Sequence, residues 1–296
     1  MSLRAALQSR TLLGVCLAAT VAVPLITMQH LPSVNPWPMV LGVVPWVFGK
    51  YVLCALRWRV LTPPGPAGPM SRRWHLRAHA EGELLGLVTP GHVGADVWRV
   101  RRLARVGLPR ADAILGVGMD RLVGALGLTA FVLLASTELP RRLVLLAAAI
   151  GVVMVLAALV VHAVRPELLP RRAIPPPRLL LVSLLLSLGY QLTIAALLFG
   201  TVAATGHMLS PLALLGAFGA SQLAAVVPGP NGASPKDGAL VVALVALGLP
   251  WVAAVAAVAL KAVVAWLPAL ALGGVSLVLY RRQARFAAPA TRVAIA

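Results

Sequence analysis

The chain has 296 residues, of which 60% are hydrophobic and 11% are charged, and its formal net charge at pH 7 is +18. Several apolar runs reach the length of about 20 residues that crosses the roughly 30 Å hydrocarbon core of a bilayer, which excludes a soluble globular protein. The basic residues flank these runs. They therefore indicate cytoplasmic loops of a membrane protein and argue against nucleic-acid binding, which needs a basic water-exposed surface.

Six apolar segments are predicted to span the membrane as helices. They are residues 11–28, 37–56, 113–136, 143–164, 179–205 and 251–280. The polar stretches between them are too short for a separate globular domain of about 100 residues. We therefore predict an all-α polytopic membrane protein in which residues 1–296 form a single membrane domain and residues 286–296 form a short cytoplasmic tail.

Two further apolar segments, residues 81–106 and 211–247, are interrupted in the middle by proline and glycine. The first contains Pro90, Gly91 and Gly94, and the second contains Pro228, Gly229 and Gly232. Proline removes a helix hydrogen-bond donor and glycine permits unusual dihedral angles, so each interruption should end a helix. We predict two re-entrant hairpins, which membranes tolerate where protein or a water-filled cavity covers the unpaired backbone groups.

The distribution of basic residues sets the predicted topology. Most of the 26 Lys and Arg residues fall on the cytoplasmic side if the first hairpin returns to the cytoplasm and the second returns to the outside. Both termini are then cytoplasmic. A model with eight ordinary spans would move the basic segment 99–110 outside. We therefore favour the hairpins and expect an integral protein of the plasma membrane.

The two interrupted segments belong to a possible internal repeat. Residues 87–95 resemble residues 225–233, and the triplet Gly-Leu-Pro at 107–109 recurs at 248–250. Each triplet precedes a span that contains a cation, Arg121 in the first and Lys261 in the second. The pattern predicts an inverted repeat of residues 1–140 and 141–285, an architecture whose binding sites form at the midplane. A chance similarity between Ala- and Leu-rich segments is the alternative.

The same motifs carry a resemblance to a known family. Residues 86–94, followed by basic residues and by Asp120-Arg121, resemble the lysylphosphatidylglycerol synthase transmembrane or flippase-like family, and the second motif of that family is similar to residues 228–232 with residues 237–240. The resemblance covers nearly the whole chain. It implies movement of a phospholipid or lipid-linked headgroup between leaflets, and we expect the flippase part without synthase activity.

Charged residues at membrane depth suggest how such a headgroup could be bound. A buried cation needs a partner or a cavity. We expect Arg121 and Lys261 to bind an anion together, and the alternative is that they form structural ion pairs with Asp120, Glu83 or Asp237. The half-helices after Gly94 and Gly232 could also offer backbone donors to a phosphate. The residues predicted to bind substrate are Arg121, Lys261, Pro90, Gly91, Gly94, Pro228, Gly229, Gly232, Arg99 and Lys236, and those predicted for possible coupling are Glu83, Asp96, Asp120 and Asp237.

The functional prediction is a flippase whose partners are membrane lipids with an anionic headgroup or lipid-linked glycans. The sequence contains neither a nucleophile motif nor a metal-ligand spacing, so we predict no catalytic residues, no metal site and no organic cofactor. Two alternatives stay open: a membrane-embedded enzyme acting on lipid-linked substrates, and a non-transporting accessory subunit. We also expect the two Pro-Gly motifs to approach each other near the midplane.

Overall fold

A computed structural model describes residues 10–29, 34–134, 175–222 and 229–287, together with position 224 and isolated positions between 141 and 164. These described residues form helices and no β-strand, which confirms the all-α class. The helices are α1 (Arg10–Gln29), α2 (Pro36–Leu61), α3 (Arg72–Leu87), α4 (Val93–Arg105), α5 (Arg110–Leu134), α6 (Pro177–Ala204), α7 (Pro211–Gln222), α8 (Pro235–Ala246), α9 (Trp251–Val264) and α10 (Val275–Ala287). Two π-helical turns, Gly49–Leu53 and Ala269–Gly274, lie within α2 and between α9 and α10.

Within the described residues, 4 helices are long and apolar enough to cross a membrane. They are Pro36–Leu61, Arg110–Ala130, Pro177–Ala204 and Trp251–Arg282. Each corresponds to a predicted span, although α2 continues to Leu61 rather than ending at residue 56. The span predicted for residues 11–28 lies within α1, and only isolated, helical positions of the span predicted for residues 143–164 are described. The membrane class is therefore confirmed, and the count of six spans stays a prediction.

Helix α6 is the central helix of the described structure. It packs against α2, α5, α7 and α9. Where α2 crosses α6, a Cβ atom on Gly42 would lie 2.4 Å from the carbonyl oxygen of Ala196, and one on Gly200 would lie 2.5 Å from the carbonyl oxygen of Pro38. Small residues let membrane helices approach this closely and gain van der Waals contact, so glycine is needed at this crossing.

The first interrupted segment forms a hairpin, the first hairpin, from α3 and α4. The chain reverses at Gly91 and His92, whose φ angles are 63° and 62°. The arms run antiparallel, because Glu83 contacts Arg99 while Glu81, farther from the turn, contacts Arg102. With 16 and 13 residues, the arms measure about 24 and 20 Å at 1.5 Å per residue, so neither crosses a bilayer alone.

Helices α7 and α8, the second hairpin, have 12 residues each and pack against each other. At about 18 Å they too are shorter than the hydrocarbon core. Both interrupted segments are thus pairs of short helices instead of single continuous ones. Their depth in the membrane, and the inverted orientation of the repeats, remain predictions.

The two Gly-Leu-Pro triplets have the same local structure. Gly107 and Gly248 have positive φ angles of 86° and 94°, a conformation that glycine adopts without the steric penalty of a side chain. The next amide completes the same helix-ending hydrogen bond in each copy: Leu108 donates to Leu103 and Leu249 donates to Leu244, both at 3.2 Å. This six-residue closure is the Schellman motif. The match extends the sequence similarity to backbone geometry and agrees with a repeated unit.

Candidate functional site

The tips of the two hairpins touch. The amide of Gly91 donates a hydrogen bond of 3.3 Å to the carbonyl oxygen of Gly229. The predicted approach of the two Pro-Gly motifs is therefore observed, although Pro228 itself lies outside the described residues. Beside this contact lies a cavity of about 70 Å³, the tip cavity. Its lining residues are Gly86, Thr89, Gly91, His92, Gly229, Asn231, Ser234 and Lys236.

Lys236 supplies the positive charge that lines the tip cavity. Its amino group has no hydrogen-bond or ion-pair partner among the described residues. The charges of Lys261, Lys50 and Arg121 act on Lys236 through space, and the negative charge of Asp237 opposes them. The amine of Lys236, which has no partner among the described residues, remains the local positive charge that favours an anion in the cavity.

Two backbone amides beside the predicted half-helices are already used by the protein. The amide of Gly94 donates to the hydroxyl of Thr89 at 2.8 Å, and the amide of Gly232 donates to the carboxylate of Asp237 at 2.9 Å. These two amides are therefore not free, and the binding of an anion by the amides that follow them stays a prediction. Polar side chains near helix starts commonly satisfy these amides, and sequence patterns of glycine do not reveal the competition.

A capping box shapes the start of α8. The Asp237 amide donates to the Ser234 hydroxyl at 3.4 Å, and the Ser234 amide donates to the Asp237 carboxylate at 3.3 Å. The Ser234 hydroxyl also donates to that carboxylate, at 2.6 Å. Lys261 from α9 lies 3.0 Å from the same carboxylate, and the Asn231 side-chain amide donates to the carbonyl oxygen of Ala262 at 3.2 Å. Asp237 and Lys261 thus hold the second hairpin against α9.

A larger group of buried charges, the core ion network, holds the first hairpin. It consists of Lys50 and Arg57 from α2, Glu83 from α3, Arg99 from α4 and Asp120 from α5. Arg99 joins the two carboxylates, at 3.1 Å from Glu83 and 3.0 Å from Asp120. Lys50 lies 2.7 Å from Glu83 and Arg57 lies 2.7 Å from Asp120. Such charge-assisted contacts compensate the desolvation of buried ions only when the geometry is complete.

His79 lies inside this network in one defined tautomer. An Arg99 guanidinium nitrogen approaches His79 Nδ1 at 2.7 Å, and His79 Nε2 approaches the Lys50 carbonyl oxygen at 2.8 Å. Arginine only donates hydrogen bonds, so Nδ1 accepts and Nε2 carries the hydrogen that the carbonyl oxygen accepts. We assign a neutral imidazole to His79 from this pattern.

His92 connects the network with the tip cavity. Its Nε2 atom lies 2.9 Å from Glu83 Oε2, and its ring lines the cavity. Its left-handed backbone is uncommon for a residue with a side chain and is found disproportionately at functional sites. The first hairpin therefore contributes the His92 imidazole to the tip cavity. The Glu83 carboxylate binds that imidazole but does not line the cavity.

The two cations predicted to act as an anion-binding pair are both ion-paired. Arg121 lies 3.0 Å from Asp96 and Lys261 lies 3.0 Å from Asp237. The prediction that these two cations do not form structural salt bridges is therefore wrong. The partner of Arg121 also differs from Asp120 and Glu83, because Arg57 and Arg99 surround Asp120. Whether either cation also contacts a ligand stays a prediction.

Arg99, another predicted substrate-binding residue, is 3% exposed and bridges two carboxylates. It does not line the tip cavity as described. Glu81 is similarly occupied: it contacts Arg102 at 3.2 Å, the Trp98 indole nitrogen at 2.9 Å and the Ser276 hydroxyl at 2.8 Å. Two of the arginines of α4, Arg99 and Arg102, are therefore buried inside the protein, where they pair with glutamates.

Sequence reasoning missed several contributors to these sites. They are Lys50 and His79 in the core ion network, Arg57, which was placed in a loop, and Thr89 and Asn231 at the hairpin tips. The sequence could have identified Lys50 as part of a buried ion pair, because a lysine within an apolar run needs a partner. It could also have identified Thr89 as a helix cap, because threonine before proline is frequent at that position.

The family assignment agrees with this architecture. The family described as "Lysylphosphatidylglycerol synthase TM region" matches residues 11–273. That range covers most of the chain, so the protein belongs to this family. Comparison with curated proteins and with solved structures finds no match.

Proposed function

We propose that this member of the lysylphosphatidylglycerol synthase transmembrane family is a flippase that moves a phospholipid or lipid-linked headgroup between leaflets, and that the tip cavity binds the headgroup phosphate. The observation that carries the proposal is Lys236. Lys236 lines a cavity to which both hairpins contribute, and its amine has no hydrogen-bond or ion-pair partner within the described part of the chain. A site between two broken helices is the arrangement that many secondary transporters use.

The neighbouring cations point to Lys236 as the direct contact. Lys50, Arg121 and Lys261 lie 2.7, 3.0 and 3.0 Å from their respective carboxylate partners. Their charges are thus largely neutralised at short range, although they still act on Lys236. A phosphate would supply the counter-charge that Lys236 lacks among the described residues, and charge-assisted hydrogen bonds of this kind are stronger than neutral ones.

The size and chemistry of the tip cavity agree with a headgroup. A cavity needs a volume of roughly 10–15 Å³ to hold one water molecule. The tip cavity has a volume of about 70 Å³. It therefore has room for a phosphate group and not for a whole lipid. Thr89, His92, Asn231 and Ser234 add polar side chains to its lining. The lipid tails would have to lie elsewhere.

We further propose that the two tips separate toward one leaflet and then the other during transport. They meet through a backbone hydrogen bond between glycines, which costs less to break than a buried ion pair. The carboxylates proposed for coupling, Glu83, Asp96, Asp120 and Asp237, each contact a basic residue. Coupling through any of them would require the loss of that contact.

The enzyme alternative has less support in the same cavity. Hydrolysis of a lipid-linked substrate would need an acid, a base or a nucleophile beside the phosphate. The lining does contain His92 and the hydroxyls of Thr89 and Ser234. Among the described contacts neither hydroxyl is bonded to His92: Thr89 donates to the Leu85 carbonyl oxygen at 2.9 Å and Ser234 donates to Asp237 at 2.6 Å. A nucleophile paired with a histidine base is therefore not formed by these residues, which favours binding over hydrolysis.

The test is lipid translocation by purified protein in proteoliposomes. Tail-labelled phosphatidylglycerol and phosphatidylcholine would be followed by chemical quenching of the outer leaflet. We expect Lys236→Gln to slow translocation of the preferred lipid about tenfold or more, since a hydrogen bond to a charged group contributes about 1.5–3 kcal/mol.

Two controls accompany this test. Lys236→Arg keeps the charge and should retain most of the rate, and Arg73→Gln removes an exposed charge and should change nothing. A wild-type rate in the Lys236→Gln variant would reject the tip cavity as the headgroup site. A wild-type protein that moves neither lipid would favour the accessory role.

A further inference from the structure

A second, larger cavity lies on the other side of the second hairpin. The side cavity has a volume of about 300 Å³. Val23 of α1, Val241 of α8, and Val255 and Val258 of α9 form its aliphatic walls. Its polar end is formed by Ser234 and Asp237, and the charge of Asp237 is paired with Lys261 at 3.0 Å.

The two cavities meet at one residue. Ser234 lines both the tip cavity and the side cavity. A ligand that passes Ser234 would extend from Lys236, which has no ionic partner among the described residues, past the start of α8 and into an aliphatic space. This order of a cation, a polar neck and an apolar pocket follows the order of a phosphate, a glycerol backbone and an acyl chain.

We infer that the side cavity receives the glycerol and upper acyl-chain region of the lipid whose phosphate lies in the tip cavity. The inference rests on the proposed function and adds to it a subsite in the side cavity, so that the lipid is bound by its tail as well as its headgroup. A soluble phosphate compound would gain only the contacts in the tip cavity.

The surroundings of the side cavity indicate entry from the bilayer. Ala233 and Gly238, which line it, are exposed. Next to them on α8 and α9, Val242 and Val252 are 58% and 55% exposed. In a membrane these apolar surfaces face acyl chains, so that a lipid tail enters between α1 and α8 without crossing a polar surface.

Gly238 offers a way to fill the side cavity with little disturbance. A Cβ atom at this position meets no atom within 4 Å, so a phenylalanine side chain can occupy space that the lipid would use. Gly118 on α5 is the matched control, because it is also exposed, has no atom within 4 Å of a Cβ and lines neither cavity.

The experiment measures binding of two ligands to the purified full-length chain in detergent: a long-chain phosphatidylglycerol and sn-glycerol 3-phosphate. We expect Gly238→Phe to weaken binding of the long-chain lipid about tenfold or more while glycerol phosphate binds within about twofold of wild type. Gly118→Phe should leave both affinities unchanged. Lys236→Gln should weaken both ligands, because they share the phosphate.

These readouts separate the two proposals. Unchanged lipid affinity in Gly238→Phe, or an equal loss for both ligands, would overturn the assignment of the side cavity, whereas unchanged affinities in Lys236→Gln would reject the headgroup site alone. A change of oligomeric state in Gly238→Phe without a change in lipid affinity would assign the side cavity to a second copy of the chain and would also overturn the inference. If Gly238→Phe does not fold, Gly238→Leu carries the same test.

Discussion

The two hairpins share a sequence motif and an order of elements, but they carry their charges differently. In the first hairpin, Glu83 and Arg99 are buried within a network that also includes charges from α2 and α5. In the second, Asp237 and Lys261 form one ion pair, and Lys236 faces the tip cavity without a partner among the described residues. The two hairpins thus share a backbone break but differ in role: buried ion pairs anchor the first, and the second presents Lys236 to the tip cavity.

The difference follows from the cost of burying charge. A buried ion is tolerated when its partners compensate the lost hydration, and removal of one partner exposes the full penalty. The core ion network joins α2, α3, α4 and α5 in this way. The tip cavity instead keeps one cation partly exposed, where water or a ligand can compensate it. Stability and lipid binding should therefore respond to different residues.

The largest effect on stability should come from Asp120→Asn in the first hairpin's network. The change keeps the side-chain shape but leaves Arg57 and Arg99 short of a counter-charge in a buried site. Breaking such a pair costs about 3–5 kcal/mol of unfolding free energy. Denaturant unfolding in detergent measures it, and an unchanged midpoint would show that the network does not anchor the first hairpin.

A smaller loss is expected for Lys261→Gln on α9, which removes the cation paired with Asp237 of the second hairpin. Asp237 would lose its cation at 3.0 Å but keep the Ser234 hydroxyl at 2.6 Å and the Gly232 amide at 2.9 Å. Removing a single charge-assisted hydrogen bond with these donors left in place should cost about 2 kcal/mol. The same unfolding assay applies. A loss as large as that of Asp120→Asn would remove the contrast between the hairpins.

The smallest effect should come from Asp96→Asn, which removes the ion pair with Arg121. The two side chains, Arg121 and Asp96, are 48% and 32% exposed. We expect them to face a water-filled part of the transport path, because a charged pair at membrane depth is not left facing lipid, and water-screened pairs contribute about 1 kcal/mol or less. This variant is the matched control for Asp120→Asn, since both replace an aspartate paired with arginine. Equal losses from the two variants would mean that burial does not set the stability order.

The sequence predicted the helical membrane class and the positions of both breaks, because apolar runs and Pro-Gly interruptions report on local geometry. The repeated triplets at 107–109 and 248–250, noted in the sequence as part of a possible repeat, also have matching backbone geometry, with positive φ angles at Gly107 and Gly248. These features depend on a few consecutive residues. Tertiary contacts do not alter them.

The pairing of charges could not be predicted in the same way. Arg57 follows the apolar run and reads as a loop residue, but α2 continues to Leu61 and carries Arg57 to Asp120. That pairing diverts Arg121 toward Asp96. Likewise, the caps formed by Thr89 and Asp237 use the amides of Gly94 and Gly232 that the glycine pattern left available. Partner choice among buried charges depends on helix packing, which short motifs do not encode.

The most direct test compares Lys236→Gln with Lys261→Gln in one preparation, with lipid translocation and melting temperature measured for both. The unpaired cation should matter for transport and the paired cation for stability. We predict that Lys236→Gln keeps the wild-type melting temperature and slows translocation about tenfold or more, while Lys261→Gln melts earlier but translocates lipid normally per folded molecule. Normal translocation by Lys236→Gln together with lost translocation by a stably folded Lys261→Gln would contradict this assignment.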